Sequence, residues 1–188
     1  MRVVAGRLRS RRLRALPGDV TRPTTDRARG GLFDWIGPRV EGAIILDLFA
    51  GTGALGIEAL SRGATRATFV ESDSRPRAVL RHNLATLELE GQAEVLARDA
   101  LRAVAVLARR GSRFDLVFAD PPYGSDWCER LLRAPSLPEL MPVGGELYLE
   151  RNAREQPLPD VAPLALRDAR AWGESRFHCY ERTEATTP

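Results

Sequence analysis

From residue 43 to residue 150, short apolar runs alternate with helix-forming segments, and this alternation is the strongest constraint on the fold. The runs are almost continuously apolar, as in strands that are covered on both faces. Strands alternating with helices indicate a parallel sheet between two helical layers, an α/β fold. The pattern predicts strands over 44–49, 67–71, 93–97, 114–119 and 145–150, and helices over 54–62, 75–89, 101–110 and 127–133.

The two ends of the chain follow a different pattern. Near the C-terminus, residues 164–171 and 176–182 flank the turn residues 173–175, which predicts an antiparallel hairpin. Near the N-terminus, residues 2–6 and 11–16 are predicted to form two short strands of a small hairpin. The sheet therefore has an antiparallel pair at its end and a small extension at its start.

A helix is predicted between the N-terminal hairpin and the alternating region. Residues 24–26 (Thr-Thr-Asp) can cap a helix that runs towards Ile36. Gly30 and Gly31 lie inside it, and each costs about 1 kcal/mol relative to alanine. The helix is therefore either marginal or shaped by a close contact at these glycines.

Length and composition indicate a single domain that functions in the cytoplasm. The chain has 188 residues, 44% of them hydrophobic, which suffices for a sizeable core. No apolar run approaches the ~20 residues of a membrane span, and the first residues lack the apolar core of a signal peptide. Cys128 and Cys179 alone make neither a disulfide framework nor a zinc set. We expect a cytoplasmic monomer without metal or membrane contact.

Positive charge is concentrated at the start of the chain. Residues 1–30 hold nine arginines against Asp19 and Asp26, although the net charge of the whole chain is only +3. Every basic residue other than histidine is arginine, whose planar guanidinium suits phosphate. A basic arm on a mildly acidic body is typical of nucleic-acid binding, and a solvated leader explains the charge equally well.

The first predicted strand leads into a glycine-rich loop, residues 46–56 (LDLFAGTGALG). Gly51, Gly53 and Gly56 match the GxGxxG pattern, in which glycine allows a tight turn and close approach of a ligand. Asp47 precedes the first glycine by four residues. A carboxylate there suits the ammonium group of S-adenosylmethionine better than a pyrophosphate. A purely structural turn is the alternative.

Acidic residues also follow the second and third predicted strands. Glu71 lies twenty residues beyond Gly51, the spacing at which an acid binds ribose hydroxyls. Asp73 is better suited to capping the next helix. Asp99 either accepts a hydrogen bond from the adenine amino group or is a plain helix N-cap.

The fourth predicted strand ends in Asp120, Pro121, Pro122 and Tyr123. The prolines fix a stiff, extended turn whose carbonyl groups are not used by a helix. Asp120 and the Pro121 carbonyl can each accept one hydrogen of an exocyclic amine, and Tyr123 can stack on the base that carries it. Held in this way, an aromatic amine directs its lone pair at a methyl group. The target base must first leave its stack.

Together these motifs resemble the RsmD family, bacterial 16S ribosomal RNA guanine-N2 methyltransferases. The resemblance covers nearly the whole chain, and its most specific part is the stretch 22–27 (RPTTDR). It implies a Rossmann-like methyltransferase sheet with a reversed last strand and a small N-terminal hairpin. It also implies S-adenosylmethionine as donor, and as target the guanine conventionally numbered 966 in 16S rRNA, on the small ribosomal subunit or its assembly intermediate.

The resemblance also assigns site residues and two regions, a basic arm over 1–20 and a methyltransferase domain over 21–185. The clamp on the target base comprises Asp120, Pro121, Pro122 and Tyr123. Cofactor binding is assigned to Asp47, Phe49, Gly51, Gly53, Glu71, Asp99 and Thr25. The charge pattern of the arm predicts RNA binding by Arg7, Arg9, Arg11 and Arg12. The resemblance adds Arg22 and Arg27, which with Thr24, Thr25 and Asp26 would close over the cofactor or the RNA. One departure is Gly30-Gly31, where relatives usually carry Glu-Thr or Glu-Ser after the arginine.

Other functions remain open at this point. Adenine-N6 methylation of DNA or RNA uses the same kind of clamp, but the chain has no evident DNA-recognition domain. A noncatalytic ribosome-assembly factor would not need Asp47, Glu71 and Asp120 together. A nicotinamide-dependent oxidoreductase rests on GxGxxG alone and leaves residues 120–123 unexplained.

Overall fold

The computed structural model describes residues 1–16, 25–155, 158 and 160–184. The helices are α1 (Asp26–Ile36), α2 (Ala54–Ser61), α3 (Ser74–Thr86), α4 (Ala100–Arg109) and α5 (Trp127–Leu132). The strands are β1 (Ile44–Asp47), β2 (Arg66–Val70), β3 (Ala93–Leu96), β4 (Leu116–Ala119), β5 (Glu146–Asn152), β6 (Leu164–Trp172) and β7 (Ser175–Arg182). Short 3₁₀ helices lie at Gly37–Val40, Glu90–Gln92 and Pro138–Leu140.

The strands form one seven-stranded sheet in the order β3-β2-β1-β4-β5-β7-β6. The pairings among β1 to β5 are parallel. Strand β7 runs antiparallel to both β5 and β6. The predicted α/β fold, with a parallel sheet and a reversed last strand, is confirmed.

Helices cover both faces of the sheet. One face packs against α1, α2 and α3, and its core includes Phe33, Ile57 and Leu80. The other face packs against α4 and α5 through Val104 and Leu131. All four side chains of β4 are buried, as in a central strand covered on both sides.

Three strands are shorter than the sequence predicts, β3 by one residue and β1 and β4 by two. β1 ends at Asp47, because the chain turns into the glycine loop, and Gly51 has a φ of +53°. β4 begins at Leu116, because the backbone amide of Phe114 donates to Leu140 instead of a neighbouring strand. β1 therefore ends although the apolar run continues through Leu48 and Phe49.

The predicted N-terminal hairpin is present, but its paired region is shorter than the sequence predicts. Its two arms pair antiparallel at Arg2 and Arg12, and across them the Val3 amide donates to the Arg11 carbonyl at 3.0 Å and the Leu13 amide to the Met1 carbonyl at 3.1 Å. Beyond this pairing, the backbone amides of Val4 and Ala5 donate to the carboxylate of Glu58 on α2, at 2.7 and 2.9 Å. The segment therefore docks on a helix.

The start of the chain is also part of the core. Val3, Leu8 and Leu13 are buried among the side chains of α1, α2 and α3. This burial contradicts a solvated leader for residues 1–16. The expected boundary at residue 20 falls within 17–24, outside the described residues, and stays a prediction.

Helix α1 begins after Thr25, whose side chain caps the helix by accepting from the Ala28 amide at 3.1 Å. The helix also contains Gly30 and Gly31, and a close contact explains the second of them. A Cβ atom on Gly31 would lie 2.2 Å from the indole Nε1 of Trp172. Glycine at this position lets α1 pack directly on the indole of β6.

Among the described residues, no helix combines the length and the apolar character needed to cross a bilayer.

Candidate functional site

The two motifs lie next to each other because β1 and β4 are neighbours in the sheet. The chain order reverses between these strands, since β1 continues to β2 on one side and β4 to β5 on the other. In open α/β sheets, ligands bind in the crevice at the carboxyl ends of strands at such a point. The loop after β1 and residues 120–123 after β4 both lie there.

Asp47 is the last residue of β1 and is 1% exposed. One carboxylate oxygen accepts from the Gly56 amide at 3.1 Å, and the other has no partner among the described residues. Burial raises the pKa of Asp47 from 3.8 to about 7, opposed by the Gly56 hydrogen bond and reinforced by the Glu71 carboxylate. A buried acceptor without a partner is costly in the free protein, and a bound cation would relieve that cost.

Glu71 joins two of the loops at this edge. Its carboxylate accepts from the Gly51 amide at 2.9 Å and from the Asp73 amide at 2.8 Å. Asp73 in turn caps α3 by accepting from Arg75, as predicted. Glu71 therefore fixes the glycine loop beside the end of β2, which places its carboxylate at the candidate cofactor crevice.

A different structural feature explains glycine at each of the three positions of the loop. Gly53 adopts a φ of +94°, and a Cβ atom there would lie 2.4 Å from Leu80. A Cβ atom on Gly56 would lie 2.3 Å from the ring of Phe69, so glycine allows α2 to pack closely on β2. Nothing lies within 4 Å of the position that a Gly51 side chain would take. The space above Gly51 is open to a ligand.

Two further predicted cofactor residues have structural contacts. The side chain of Asp99 caps α4 by accepting from the Arg102 amide at 3.0 Å. The ring of Phe49 packs edge-on against Trp127 at a centroid distance of 5.4 Å. Their contacts with a cofactor remain predictions.

Tyr123 presents its ring to solvent while its hydroxyl group is anchored. The residue is 44% exposed, and its hydroxyl donates to the buried carboxylate of Glu150 at 2.8 Å. Ser175 Oγ lies 3.4 Å from the same hydroxyl. Burial, together with the Glu150 carboxylate, raises the pKa of Tyr123, so the phenol stays protonated and keeps its donor.

A pocket of about 320 Å³ lies beside Tyr123. Thr25 and Arg27 line it on one side and the turn between β6 and β7 on the other, through residues 172–175. Thr25, Arg27 and Tyr123 were predicted from the sequence to be site residues, whereas Glu150 and Ser175 were not. No local signal identifies those two, because β5 and β7 meet residue 123 only through the folded sheet.

The arginines assigned to RNA binding are not all gathered at this pocket. Arg27 lines it, and Arg22 lies outside the described residues. The remaining four are exposed on the N-terminal segment, namely Arg7, Arg9, Arg11 and Arg12. Arg7 donates to Gln92 Oε1 at 2.6 Å, and Arg11 to the Thr86 carbonyl at 3.2 Å.

Within the described ranges, no group of three or more His, Cys, Asp or Glu side chains is arranged to hold a metal ion.

Asp47 leads to a prediction about pH. The folded protein holds this proton up to pH about 7, whereas the unfolded chain releases it near 3.8, so its contribution to stability is lost as pH rises between those values. Asp47→Asn removes the titration. We compare the free energies of unfolding of the variant and the wild type at two pH values. The variant's value minus the wild-type value should be roughly 2–4 kcal/mol larger at pH 8 than at pH 4. Urea denaturation at both pH values measures it, and a constant difference would contradict the assignment.

Comparison with known proteins identifies the family. A family model described as "Conserved hypothetical protein 95" matches residues 1–181. The chain belongs to this family. It is the RsmD family that the motifs resemble, so that prediction is confirmed.

Relatives of this RsmD-family chain match it along nearly its whole length. Ribosomal RNA small subunit methyltransferase D of Escherichia coli (strain K12) is 36% identical over 183 residues, 97% of this chain and 90% of the relative. The solved structure of a hypothetical protein of Thermus thermophilus, TTHA0928, superposes with a TM-score of 0.80 at 28% identity, covering 96% of this chain and 99% of the other. SMU.776, solved in complex with SAH, shares the fold with a TM-score of 0.66 at 16% identity, covering 83% of this chain and 48% of the other.

Proposed function

We propose that this protein methylates the exocyclic N2 amine of a guanine in 16S rRNA, the guanine conventionally numbered 966, on the small ribosomal subunit or its assembly intermediate. The coarser activity follows from the family. The protein is an S-adenosylmethionine-dependent methyltransferase that acts on ribosomal RNA. The observation that carries the finer proposal is the pocket beside Tyr123, a residue of the segment that follows β4.

The described residues fit the cofactor. One carboxylate oxygen of Asp47 is buried and has no hydrogen-bond partner among the described residues, so it suits the ammonium group of S-adenosylmethionine. Open space above Gly51 and the nearby Glu71 carboxylate suit the ribose. When bound, S-adenosylmethionine supplies a methyl group already activated by a sulfonium, so the chain itself must supply chiefly position and charge.

Residues 120–123 would orient the amine. The Asp120 carboxylate and the Pro121 carbonyl each accept one amine hydrogen, which turns the nitrogen lone pair towards the methyl group. As the new carbon–nitrogen bond formed and the sulfur–methyl bond of the donor broke, S-adenosylhomocysteine would leave with the electron pair and the nitrogen would become positive. The Asp120 carboxylate would stabilise that charge and accept the proton that the nitrogen loses. These roles explain why a carboxylate lies directly after the buried strand β4.

Tyr123 would support the flipped base from one side. Its hydroxyl bond to Glu150 fixes the ring orientation, while the exposed ring offers a flat surface on which a base can stack. A ring that is already held loses little conformational freedom when a base stacks on it. Arg27, across the pocket, is suited to the phosphate of the same nucleotide.

The exposed arginines of the N-terminal segment lead to a prediction about salt. Replacing Arg9, Arg11 and Arg12 together with alanine removes three positive charges from side chains that the core does not need, since all three are exposed. We expect the slope of log affinity for small subunits against log salt to become shallower by about 2. Filter binding between low and physiological salt measures it.

A matched control is the triple alanine variant at three exposed arginines at the end of α4 and before β4, namely Arg109, Arg110 and Arg113. It removes the same charge from the amino-end side of the sheet and should leave the slope unchanged. If both triple variants make the salt slope shallower by the same amount, the N-terminal segment contributes only nonspecific positive charge to RNA binding.

The proposed substrate is tested by offering several acceptors. The purified protein is incubated with methyl-labelled S-adenosylmethionine and unmethylated small subunits, protein-free 16S rRNA or duplex DNA. We expect the label in RNA, and most of it in the subunits, because a structured ribonucleoprotein supplies shape recognition. Label in DNA alone would contradict the proposal and favour an adenine-N6 enzyme.

A further inference from the structure

The N-terminal segment is held to the body by buried polar groups. Glu58 is fully buried and accepts from the backbone amides of Val4 and Ala5. Ser61, on the same helix, accepts from the Leu8 amide at 3.0 Å. Such bonds to backbone fix the path of the segment while its arginine side chains stay exposed.

A third anchor lies on α3, near the end of the described part of this segment. Asn83 is 2% exposed, and its side-chain oxygen accepts from the Arg14 amide at 2.9 Å. Its side-chain nitrogen donates to the Arg14 carbonyl at 3.1 Å. The same nitrogen donates to the carbonyl of Thr52 at 2.9 Å.

Thr52 lies between Gly51 and Gly53 in the loop that the proposed function assigns to the cofactor. Asn83 is thus a single buried amide bonded both to the segment that carries the arginines and to the cofactor loop. A glycine-rich loop has much conformational freedom to lose on binding a ligand. Because the bond from Asn83 already fixes the Thr52 carbonyl, the loop loses less conformational entropy when a ligand binds.

Thr25, the next described residue after Leu16, lines the pocket with Tyr123. The bonds of Asn83 join the segment that carries the exposed arginines directly to the cofactor loop. Binding that stabilises the docked segment also stabilises the arrangement of Thr52.

We infer that Asn83 is a positioning residue that couples the N-terminal segment to the cofactor loop, so that RNA and cofactor each strengthen the binding of the other. This inference rests on the proposed function. The coupling is reciprocal, because both ligands favour the same docked arrangement.

The coupling is measured as a ratio of affinities. Equilibrium dialysis gives the Kd of labelled S-adenosylhomocysteine without and with saturating unmethylated small subunits. For the wild type we expect the subunits to tighten binding about fivefold or more. For Asn83→Ala we expect a ratio near one, with binding in the absence of subunits weakened by up to about tenfold.

Two further variants separate coupling from general stability. Asn83→Asp keeps the acceptor for the Arg14 amide and loses the donor to the carbonyls of both Thr52 and Arg14, so it should also give a ratio near one even if Asn83→Ala fails to fold. Gln92→Ala removes a bond to Arg7 at the amino end of β3, away from the cofactor loop. It should keep the wild-type ratio.

A wild-type ratio of one, or an Asn83→Asp variant that keeps the wild-type ratio, would overturn the inference. A wild type that fails to bind S-adenosylhomocysteine at all would contradict the proposed function instead. The two failures are therefore distinguishable in one experiment. The reciprocal measurement, subunit affinity without and with S-adenosylhomocysteine, should give the same ratio.

Discussion

The Asp120→Ala variant is expected to bind S-adenosylmethionine like the wild type and to transfer its methyl group about a thousandfold more slowly. The carboxylate lies after β4, whereas the cofactor residues follow β1 and β2, so its loss leaves the cofactor loops intact. What is lost is the acceptor that orients the amine and stabilises its developing positive charge. Single-turnover kinetics and equilibrium dialysis measure the two quantities separately.

Asp126→Ala is the matched control for this variant. Asp126 is exposed in the same loop, makes no capping bond to α5 and pairs only loosely with Arg130, at 3.5 Å. Its replacement should leave methyl transfer nearly unchanged. An Asp120→Ala variant that transfers methyl groups normally but loses the cofactor would require residues 120–123 to belong to the cofactor site.

The second large effect concerns stability. Glu58→Ala is expected to lower the free energy of unfolding by about 3–5 kcal/mol, because it removes the carboxylate that faces a buried guanidinium and accepts from two backbone amides. Arg29 is fully buried, with its Nε 3.5 Å from Glu58, and Arg62 Nε donates to Glu58 at 2.8 Å. Denaturant unfolding at neutral pH measures the loss.

An exposed ion pair provides the comparison. Glu94 lies 3.1 Å from Arg110, with both side chains about half exposed. Glu94→Ala should cost less than about 1 kcal/mol. Similar losses in the two variants would mean that the buried network does not hold the N-terminal segment in place.

The sheet could be predicted from the sequence because its signal is local. Each strand of the central region is a short apolar run followed by a helix, and the pattern requires no knowledge of distant contacts. The same holds for the cap at Asp73, where a short polar side chain precedes a helix. The glycine loop and residues 120–123 could be placed at one edge because parallel strands share their direction.

Contacts between distant residues could not be predicted in this way. The N-terminal hairpin was predicted, but its docking on α2 was not, because Glu58, more than fifty positions away, accepts from the Val4 and Ala5 amides. Gly31 in α1 makes sense only against Trp172 of β6. The Tyr123–Glu150 bond likewise depends on how β5 lies beside β4. A single sequence carries no local signal for any of these.

The proposed acceptor is the N2 amine of a guanine in 16S rRNA. The most direct test of this proposal is to digest methyl-labelled small-subunit RNA to nucleosides and identify the labelled one by mass spectrometry. We expect N2-methylguanosine, which should be absent when the Asp120→Ala variant replaces the wild type. N6-methyladenosine as the labelled product would contradict it.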